Sequence, residues 1–205
     1  MTMAKPSPTA VAKAYIADFK TSLDRLDIKQ ITKFINLLET KRRQHKTVFF
    51  IGNGGSAATA SHAVCDLNKT VLGKDPQAAS SIRFRAMCLS DNVPSITAIG
   101  NDLSYDDIFS EQLKNYSTPG DLLVVISGSG NSPNIIHALE TAHQLKLETI
   151  GLLGFDGGKA KDLIDHPLIV ENSDYGIIED THMMLIHLVT RYFKELNSQK
   201  WNLKY

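Results

Sequence analysis

The sequence predicts an α/β protein with a three-layer, doubly wound parallel sheet and a helical arm at its N-terminus. Short apolar runs alternate with longer stretches of helical periodicity, and the runs end near Gly, Ser or Asn. Continuous apolar runs are typical of parallel strands that helices cover on both faces. Five runs predict a five-stranded sheet: Thr47–Ile51, Ala86–Leu89, Leu122–Ile126, Thr149–Leu153 and Pro167–Val170.

Two helices are predicted ahead of the first strand. Residues 10–46 contain no glycine or proline, and their apolar residues recur at helical spacing in two successive phases. Asp27 lies between the phases, where its side chain would cap the second helix. The apolar residues of this arm need a surface to pack on, either their own sheet or, as we expect, a second subunit. These residues are Ile16, Phe19, Phe34 and Leu38.

Further helical stretches lie between the strands and after the last one. The predicted helices are Ser56–Asn68, Asp106–Tyr116, Ser132–Leu145, Gly158–Asp165 and Ile178–Leu196, and Gly73–Ser81 is typical of a linker. We expect residues 1–46 to serve oligomerisation as part of the same domain. Residues 47–196 form the sheet domain, and residues 197–205 form a tail.

The composition argues against several classes of protein. Lys and Arg together number 22, as do Asp and Glu, so the formal net charge is zero, whereas nucleic-acid binding depends on excess positive charge. Two cysteines are too few for a disulfide framework. The apolar runs are far shorter than the ~20 residues of a membrane helix, and no apolar segment typical of a secretory signal follows Lys5. We therefore expect a cytoplasmic protein that binds neither nucleic acid nor membrane.

Two loops that follow predicted strands are rich in glycine and serine. They are I-G-N-G-G-S-A-A at residues 51–58 and I-S-G-S-G-N-S-P at residues 126–133. Glycines let backbone N–H groups approach an anion, and the following helix N-terminus adds partial positive charge. The hydroxyls of Ser127, Ser129 and Ser132 add neutral donors. One such loop could be only a tight turn, but two in one small domain favour a phosphate site.

The first loop also matches a relaxed dinucleotide-binding fingerprint, Gly52-x-Gly54-x-x-Ala57. That fingerprint expects an acidic residue at the end of the next strand, about 20 positions later. The residues found there, Lys74–Pro76, are typical of a loop. A dinucleotide enzyme is therefore a weaker alternative, which NAD(H) binding would test.

Titratable side chains cluster at two places on the predicted helices. His62 and Asp66 share one helix face, which suits a metal ion, an acid–base pair or simply an exposed hydrogen bond. On the last helix, His182 falls within the apolar stripe, as a core histidine would. Glu179 and His187 lie on one flank about 12 Å apart along the axis, whereas Glu179 and His182 would converge more easily on one ion. Spacing alone leaves these arrangements open.

Six motifs occur together in this chain. They are Gly52–Ala58 with His62, Asp91–Asn92, Gly100–Asp102, Ile126–Ser132, Gly154–Gly158, and Glu179–His182 with His187. Their combination resembles the sugar isomerase (SIS) domain and, within it, the phosphoheptose isomerases, which act on sedoheptulose 7-phosphate. The resemblance spans nearly the whole chain. It implies the SIS fold, with a five-stranded parallel sheet, and a homotetramer whose active sites are built from adjacent subunits.

The resemblance also implies roles for individual residues. The phosphate ligands are serine hydroxyls: Ser56, Ser127, Ser129 and Ser132. The sugar is lined by polar residues from three loops: Asn53, Ser90, Asn101 and Asp102. Further substrate contacts fall on Gly54, Gly55, Gly128 and Glu179. The catalytic pair corresponds to Asp66 and His187, and the zinc site of some members corresponds to His62, Asp66, Glu179 and His187.

Two of these positions depart from the family pattern. Asp66 stands where the family has glutamate, and Glu179 stands where it has glutamine. Losing one methylene moves a carboxylate by about 1 Å, and catalysis is sensitive to displacements of that size. The added carboxylate of Glu179 would favour a divalent cation or serve as an alternative base. These changes indicate a divergent branch, whose substrate could be a different phosphorylated sugar.

The expected reaction is the conversion of sedoheptulose 7-phosphate to D-glycero-D-manno-heptose 7-phosphate through a cis-enediol. Asp66 or Glu179 would move the proton between C1 and C2, and His187 would move protons at the sugar oxygens. A zinc ion, where one is bound, would polarise the carbonyl. The alternative is a non-catalytic SIS protein that binds a sugar phosphate or a protein partner, as the family member that assists bacterial replication initiation does.

Overall fold

The computed structural model describes residues 5–73 and 82–197, in which helices flank one parallel sheet. All but the first residue of the predicted 197–205 tail, and most of the predicted Gly73–Ser81 linker, lie outside the described residues. The elements in chain order are α1 (Pro8–Asp24), α2 (Ile28–Arg43), β1 (Thr47–Ile51), α3 (Gly55–Asn68), β2 (Arg85–Cys88), α4 (Val93–Asp102), α5 (Ser110–Tyr116), β3 (Leu122–Ser127), α6 (Pro133–Gln144), β4 (Glu148–Gly154), β5 (His166–Val170) and α7 (Tyr175–Asn197).

The sheet is parallel throughout, with the strand order β2-β1-β3-β4-β5. The predicted five-stranded, doubly wound architecture is therefore confirmed. The chain builds outward in both directions from the neighbouring strands β1 and β3, whose register pairs Ile51 with Val125. In open α/β sheets ligands bind at such a switch point, beyond the carboxyl ends of the strands. The two Gly/Ser loops leave these two strands and so meet at this edge.

Two apolar clusters form the core, one on each face of the sheet, because alternate side chains of a strand point in opposite directions. Phe50 and Val124 face α2, α3 and α7. Phe49 and Leu123 face α5 and α6. This packing fixes the angles at which α3 and α7, the two helices with clustered titratable residues, lie on the sheet.

The N-terminal helices pack in different ways. On α2, Phe34 and Leu38 are fully buried against their own sheet rather than left for another subunit. On α1 only Ser22 is buried, and the side chains of Val11 and Ile16 are 55% and 54% exposed. The Tyr15 hydroxyl of α1 donates a 2.6 Å hydrogen bond to the Asp180 carboxylate of α7. None of the helices in the described residues is long and apolar enough to span a membrane.

The helices differ from the sequence prediction at four places. The predicted helix Asp106–Tyr116 is divided into a 3₁₀ turn, Tyr105–Asp107, and α5. Helix α4 was not predicted, since it buries none of its residues and contains β-branched residues and a glycine, which are weak helix formers. The predicted helix Gly158–Asp165 is a short 3₁₀ turn, Lys159–Leu163, because two glycines with positive φ precede it. Helix α7 begins at Tyr175, one turn earlier than predicted.

Candidate functional site

The first Gly/Ser loop turns sharply from β1 into α3. A Cβ on Gly52 would lie 2.6 Å from the carbonyl oxygen of Ser56, so the turn has room only for glycine there. Gly54 precedes the helix with a φ of 54°, a left-handed conformation that glycine adopts without strain. Because the first backbone N–H groups of a helix have no partner within it, the start of α3 presents donors to the space beyond β1.

The second Gly/Ser loop connects β3 with α6 and is braced from two sides. The backbone N–H of Gly130 donates to the Ser127 hydroxyl at 3.1 Å. Gly130 has a φ of 63°, and a Cβ on it would lie 2.1 Å from the carbonyl oxygen of Gly157. The ring of Tyr175 covers Gly128, where a Cβ would lie 2.9 Å from its Cε1 atom. The loop is thus packed tightly against the turn after β4 and the start of α7.

A cavity of about 210 Å³ lies between the two loops. Seven of the predicted substrate-binding residues line it: Asn53, Ser56, Ser127, Gly128, Ser129, Ser132 and Glu179. Ile126 and Tyr175 complete the lining, and no lysine or arginine of residues 5–73 or 82–197 takes part in it. The Ser56 and Ser132 hydroxyls have no hydrogen-bond partner among the described residues, so they are available to a ligand. The cavity offers neutral donors to an anion.

Glu179 brings a carboxylate into the same cavity. Its Oε2 atom lies 2.6 Å from where a Cβ on Gly55 would be, so glycine at the start of α3 makes room for it. A carboxylate is favourable at a helix N-terminus because of the partial positive charge there. A carboxylate accepts hydrogen bonds and repels phosphate, so its partners in a sugar phosphate would be sugar hydroxyls.

A second polar group lies further along the same two helices. The Nε2 atoms of His62 on α3 and His187 on α7 are 3.0 Å apart, with their rings at 78° to each other. Asp66 Oδ2 lies 3.4 Å from His62 Nε2. The Thr190 hydroxyl donates to the same carboxylate oxygen at 3.0 Å, which fixes the carboxyl group in the buried space between the helices.

The three residues His62, Asp66 and His187 could hold a metal ion. One ligand atom from each residue lies within 4.8 Å of the others. Two imidazole nitrogens and one carboxylate oxygen are ligands that zinc prefers, and tetrahedral zinc holds its ligands about 3.3 Å apart. Two of the three separations, 3.0 Å between the histidines and 3.4 Å between His62 and Asp66, fit that spacing. The Glu179 carboxylate does not belong to this group within the described residues, since it lies against Gly55.

The remaining predicted residues lie outside the cavity. Ser90 donates to the Gly52 carbonyl at 2.9 Å and so supports the first loop from behind. Asn101 and Asp102 are exposed at the end of α4, where the Asn101 amide donates to the Asp102 carboxylate at 2.7 Å. Gly54 shapes the loop through its backbone alone. Within this subunit, the structure does not bring Asn101 and Asp102 to the predicted site.

Sequence reasoning missed one residue that lines the cavity and one that lies behind it. Tyr175 lines it, and Asn134, on the first turn of α6, forms hydrogen bonds with Asn53. Asn134 is polar yet lies in the buried stripe of α6 with Ala138 and Thr141, and a polar residue in such a stripe was the available signal. Nothing in the pattern around Tyr175 distinguished it from a surface aromatic residue.

His182 lies in the protein core rather than with the other titratable residues of α7. Its side chain is fully buried, and its Nε2 donates to the Leu153 carbonyl at 3.2 Å. Burial lowers the pKa of His182 to about 4, although the hydrogen bond to Leu153 opposes this shift. The imidazole is therefore neutral at neutral pH, which agrees with the prediction that His182 is a core histidine.

This lowered pKa predicts how stability depends on pH. The unfolded chain binds a proton at His182 near pH 6.5 but the folded chain only near pH 4, so the free energy of unfolding falls as the pH drops through that range. Urea unfolding at several pH values measures this loss. The variant His182→Gln keeps a donor for Leu153 without a titrating group, so its stability should fall less over the same range. An identical pH profile in both proteins would contradict the assignment.

Known proteins of similar sequence show which family this chain belongs to. The SIS domain family matches residues 14–154. The phosphoheptose isomerase of Trichlorobacter lovleyi is 40% identical over 153 residues, which cover 75% of this chain and 74% of that protein. The chain belongs to the phosphoheptose isomerase family of SIS-domain proteins.

Other members of the family match over greater lengths. The probable phosphoheptose isomerase of Thermoplasma acidophilum is 34% identical over 90% of this chain and 98% of its own. The solved structure of a phosphoheptose isomerase from Neisseria gonorrhoeae superimposes with a TM-score of 0.81 at 27% identity, covering 92% of this chain and all of that one. The likeness therefore includes the N-terminal helices as well as the sheet.

Proposed function

We propose that this protein is an aldose–ketose isomerase that converts sedoheptulose 7-phosphate to D-glycero-D-manno-heptose 7-phosphate. One observation carries the proposal: a serine-lined cavity at the sheet edge and the group of His62, Asp66 and His187 lie along the same pair of helices. The relatives are named phosphoheptose isomerases, which supports a heptose phosphate as the substrate. A single molecule would bind by its phosphate in the cavity and react at the second group.

The distance between the two places favours a long substrate. Ser56 and His62 are six residues apart on α3, which is about 9 Å along the helix axis. A sugar phosphate reaches from one to the other only when several carbons separate its phosphate from its carbonyl. Glu179 lies in the cavity, where it accepts hydrogen bonds from hydroxyls of the intervening carbons.

The proton transfers use the Asp66 carboxylate and the His187 imidazole. Asp66 takes a proton from C1 of the open-chain ketose while His187 gives a proton to the C2 oxygen, which produces the cis-enediol. Asp66 then returns its proton to C2, and His187 takes the proton of the C1 hydroxyl, which leaves the aldose. Thr190 holds one carboxylate oxygen of Asp66, and the other has no hydrogen-bond partner among the described residues.

Zinc is the cofactor that the donor set of His62, Asp66 and His187 fits best. When bound, it supplies a Lewis acid that polarises the substrate carbonyl. Because Asp66 is then shared between metal binding and proton transfer, Glu179 is the second candidate for the base. Elemental analysis of the purified protein measures the metal content, and loss of zinc from His62→Ala would support this donor set.

We also propose a homotetramer with sites between subunits. The exposed apolar residues of α1, of α4 and of the position directly after α4 support it: Val11, Ile16, Val93 and Leu103. Asn101 and Asp102 lie at the end of α4, outside their own cavity, where they would face the site of a neighbouring subunit. In this arrangement α1 supplies most of the oligomerisation surface of residues 1–46. Analytical ultracentrifugation measures the mass, and a monomer at assay concentrations would contradict the proposal.

The decisive test is turnover of sedoheptulose 7-phosphate by the purified protein, with and without added zinc. We expect the aldose heptose phosphate to appear, detected by mass spectrometry after reduction with borodeuteride. Ser132→Ala removes one hydroxyl donor from the cavity and should raise KM more than it lowers kcat. Binding of the sugar phosphate without turnover would instead favour a non-catalytic SIS protein.

A further inference from the structure

Asn53 and Asn134 join the two Gly/Ser loops through a reciprocal pair of side-chain hydrogen bonds. The Asn53 amide donates to Asn134 Oδ1 at 2.9 Å, and the Asn134 amide donates to Asn53 Oδ1 at 3.0 Å. Asn53 lines the cavity, whereas Asn134 is 1% exposed and lies behind it. The pair therefore connects a residue at the cavity to a buried partner on α6.

The pair and the Tyr105 hydroxyl together decide which polar group Asn53 can offer to a ligand. Asn53 Oδ1 also accepts a 3.4 Å hydrogen bond from the Tyr105 hydroxyl, so two donors occupy its two lone pairs. One N–H of Asn53 Nδ2 is used by Asn134. The other N–H has no partner among the described residues, and it is a donor, as phosphate and sugar oxygens require.

We propose that Asn134 is a positioning residue for substrate binding, which acts through Asn53 and never touches the substrate. Without Asn134, only the 3.4 Å hydrogen bond from the exposed Tyr105 hydroxyl holds the Asn53 amide, which can then turn its carbonyl oxygen toward the phosphoryl group. Asn134 prevents Asn53 from turning alone, because that would place amide groups of like kind against each other. The Tyr105 donor favours the observed arrangement over the one in which both amides are turned. The proposal rests on the isomerase function proposed above, since it assigns the phosphate end of that substrate to the cavity.

Two variants test the contact itself. Asn134→Leu removes both hydrogen bonds and keeps the branching and the number of heavy atoms of the side chain, and we expect KM to rise about tenfold while kcat falls less than about threefold. Asn134→Asp keeps an acceptor for Asn53 but brings a negative charge behind the cavity. Its KM should rise further, and the rise should shrink at high ionic strength.

A double-mutant cycle shows whether Asn134 acts through Asn53. If it does, Asn134→Leu has little further effect on KM once Asn53→Ala is present. Additive effects of the two substitutions would overturn the proposal, as would an unchanged KM in Asn134→Leu. The matched control is Ile135→Val, which alters the neighbouring buried residue of α6, a member of the apolar core that makes no hydrogen bond with its side chain, and should leave KM unchanged.

A second readout separates this proposal from the proposed function. Inorganic phosphate binding, measured by calorimetric titration, needs the cavity but no turnover. If the wild-type protein fails to isomerise the heptose phosphate, the proposed reaction is wrong, and phosphate affinity then decides the role of Asn134. Phosphate binding equal in wild type and Asn134→Leu would overturn the role; a loss of about tenfold, absent in Ile135→Val, would support it.

Discussion

Replacing Asp66 with asparagine should lower kcat by about 10²- to 10⁴-fold, the usual contribution of a positioned general base. Asparagine has the same shape but cannot take a proton from carbon. Asp66 is buried between α3 and α7, and the Thr190 hydroxyl can still donate to the amide oxygen, so the fold should persist. Steady-state kinetics with sedoheptulose 7-phosphate measure the loss, and circular dichroism checks the fold.

The same experiment distinguishes the two candidate bases. Glu179→Gln removes the other carboxylate, which lies in the cavity against Gly55, and should raise KM with a smaller loss of kcat. Exchange of the C1 proton with deuterated water reports the base directly, and Asp66→Asn should abolish it. If Glu179→Gln abolishes exchange and Asp66→Asn does not, the roles are reversed. Metal analysis of both variants separates loss of the base from loss of an ion.

The sheet could be predicted because strands buried on both faces carry almost no polar residues. All six residues of β3 are buried, and their apolar run leads directly into the second Gly/Ser loop. Adjacent parallel strands end at the same edge, so the two loops that the sequence singled out meet there once β1 and β3 pair. The cavity with Ser56 and Ser132 lies between them.

Other features depend on packing between distant elements, which a single sequence does not reveal. Spacing on α7 relates Glu179 to His187 but says nothing of Gly55 on α3, against which the Glu179 carboxylate lies. The hydrogen bonds between Asn53 and Asn134 likewise join residues 81 positions apart. Helix α4 gave no signal of burial because it buries none of its residues in its own subunit.

Replacing Gly130 with alanine should be among the most damaging single changes to this fold. The new Cβ would lie 2.1 Å from the carbonyl oxygen of Gly157, a backbone atom that no rotamer change can move. The φ of 63° adds the left-handed strain that alanine incurs. Together, overpacking and strain should lower the free energy of unfolding by about 3 kcal/mol or more. Urea denaturation measures the loss, with the slope m checked for constancy.

Gly54→Ala is the matched control, because Gly54 has a similar φ of 54° but a Cβ there would meet no atom of the described part of the chain within 4 Å. It should cost only the backbone strain of alanine at a φ of 54° and a ψ of −123°, about 1–3 kcal/mol. If the two variants lose the same free energy of unfolding, the contact with Gly157 adds nothing to the cost of Gly130→Ala. A larger loss in Gly130→Ala, together with weaker phosphate binding, would mean that the turn after β4 holds the second Gly/Ser loop in its binding shape. The hydrogen bond from the Ala160 N–H to the Gly130 carbonyl, 2.9 Å long, ties the same two segments together and would be strained by the same displacement.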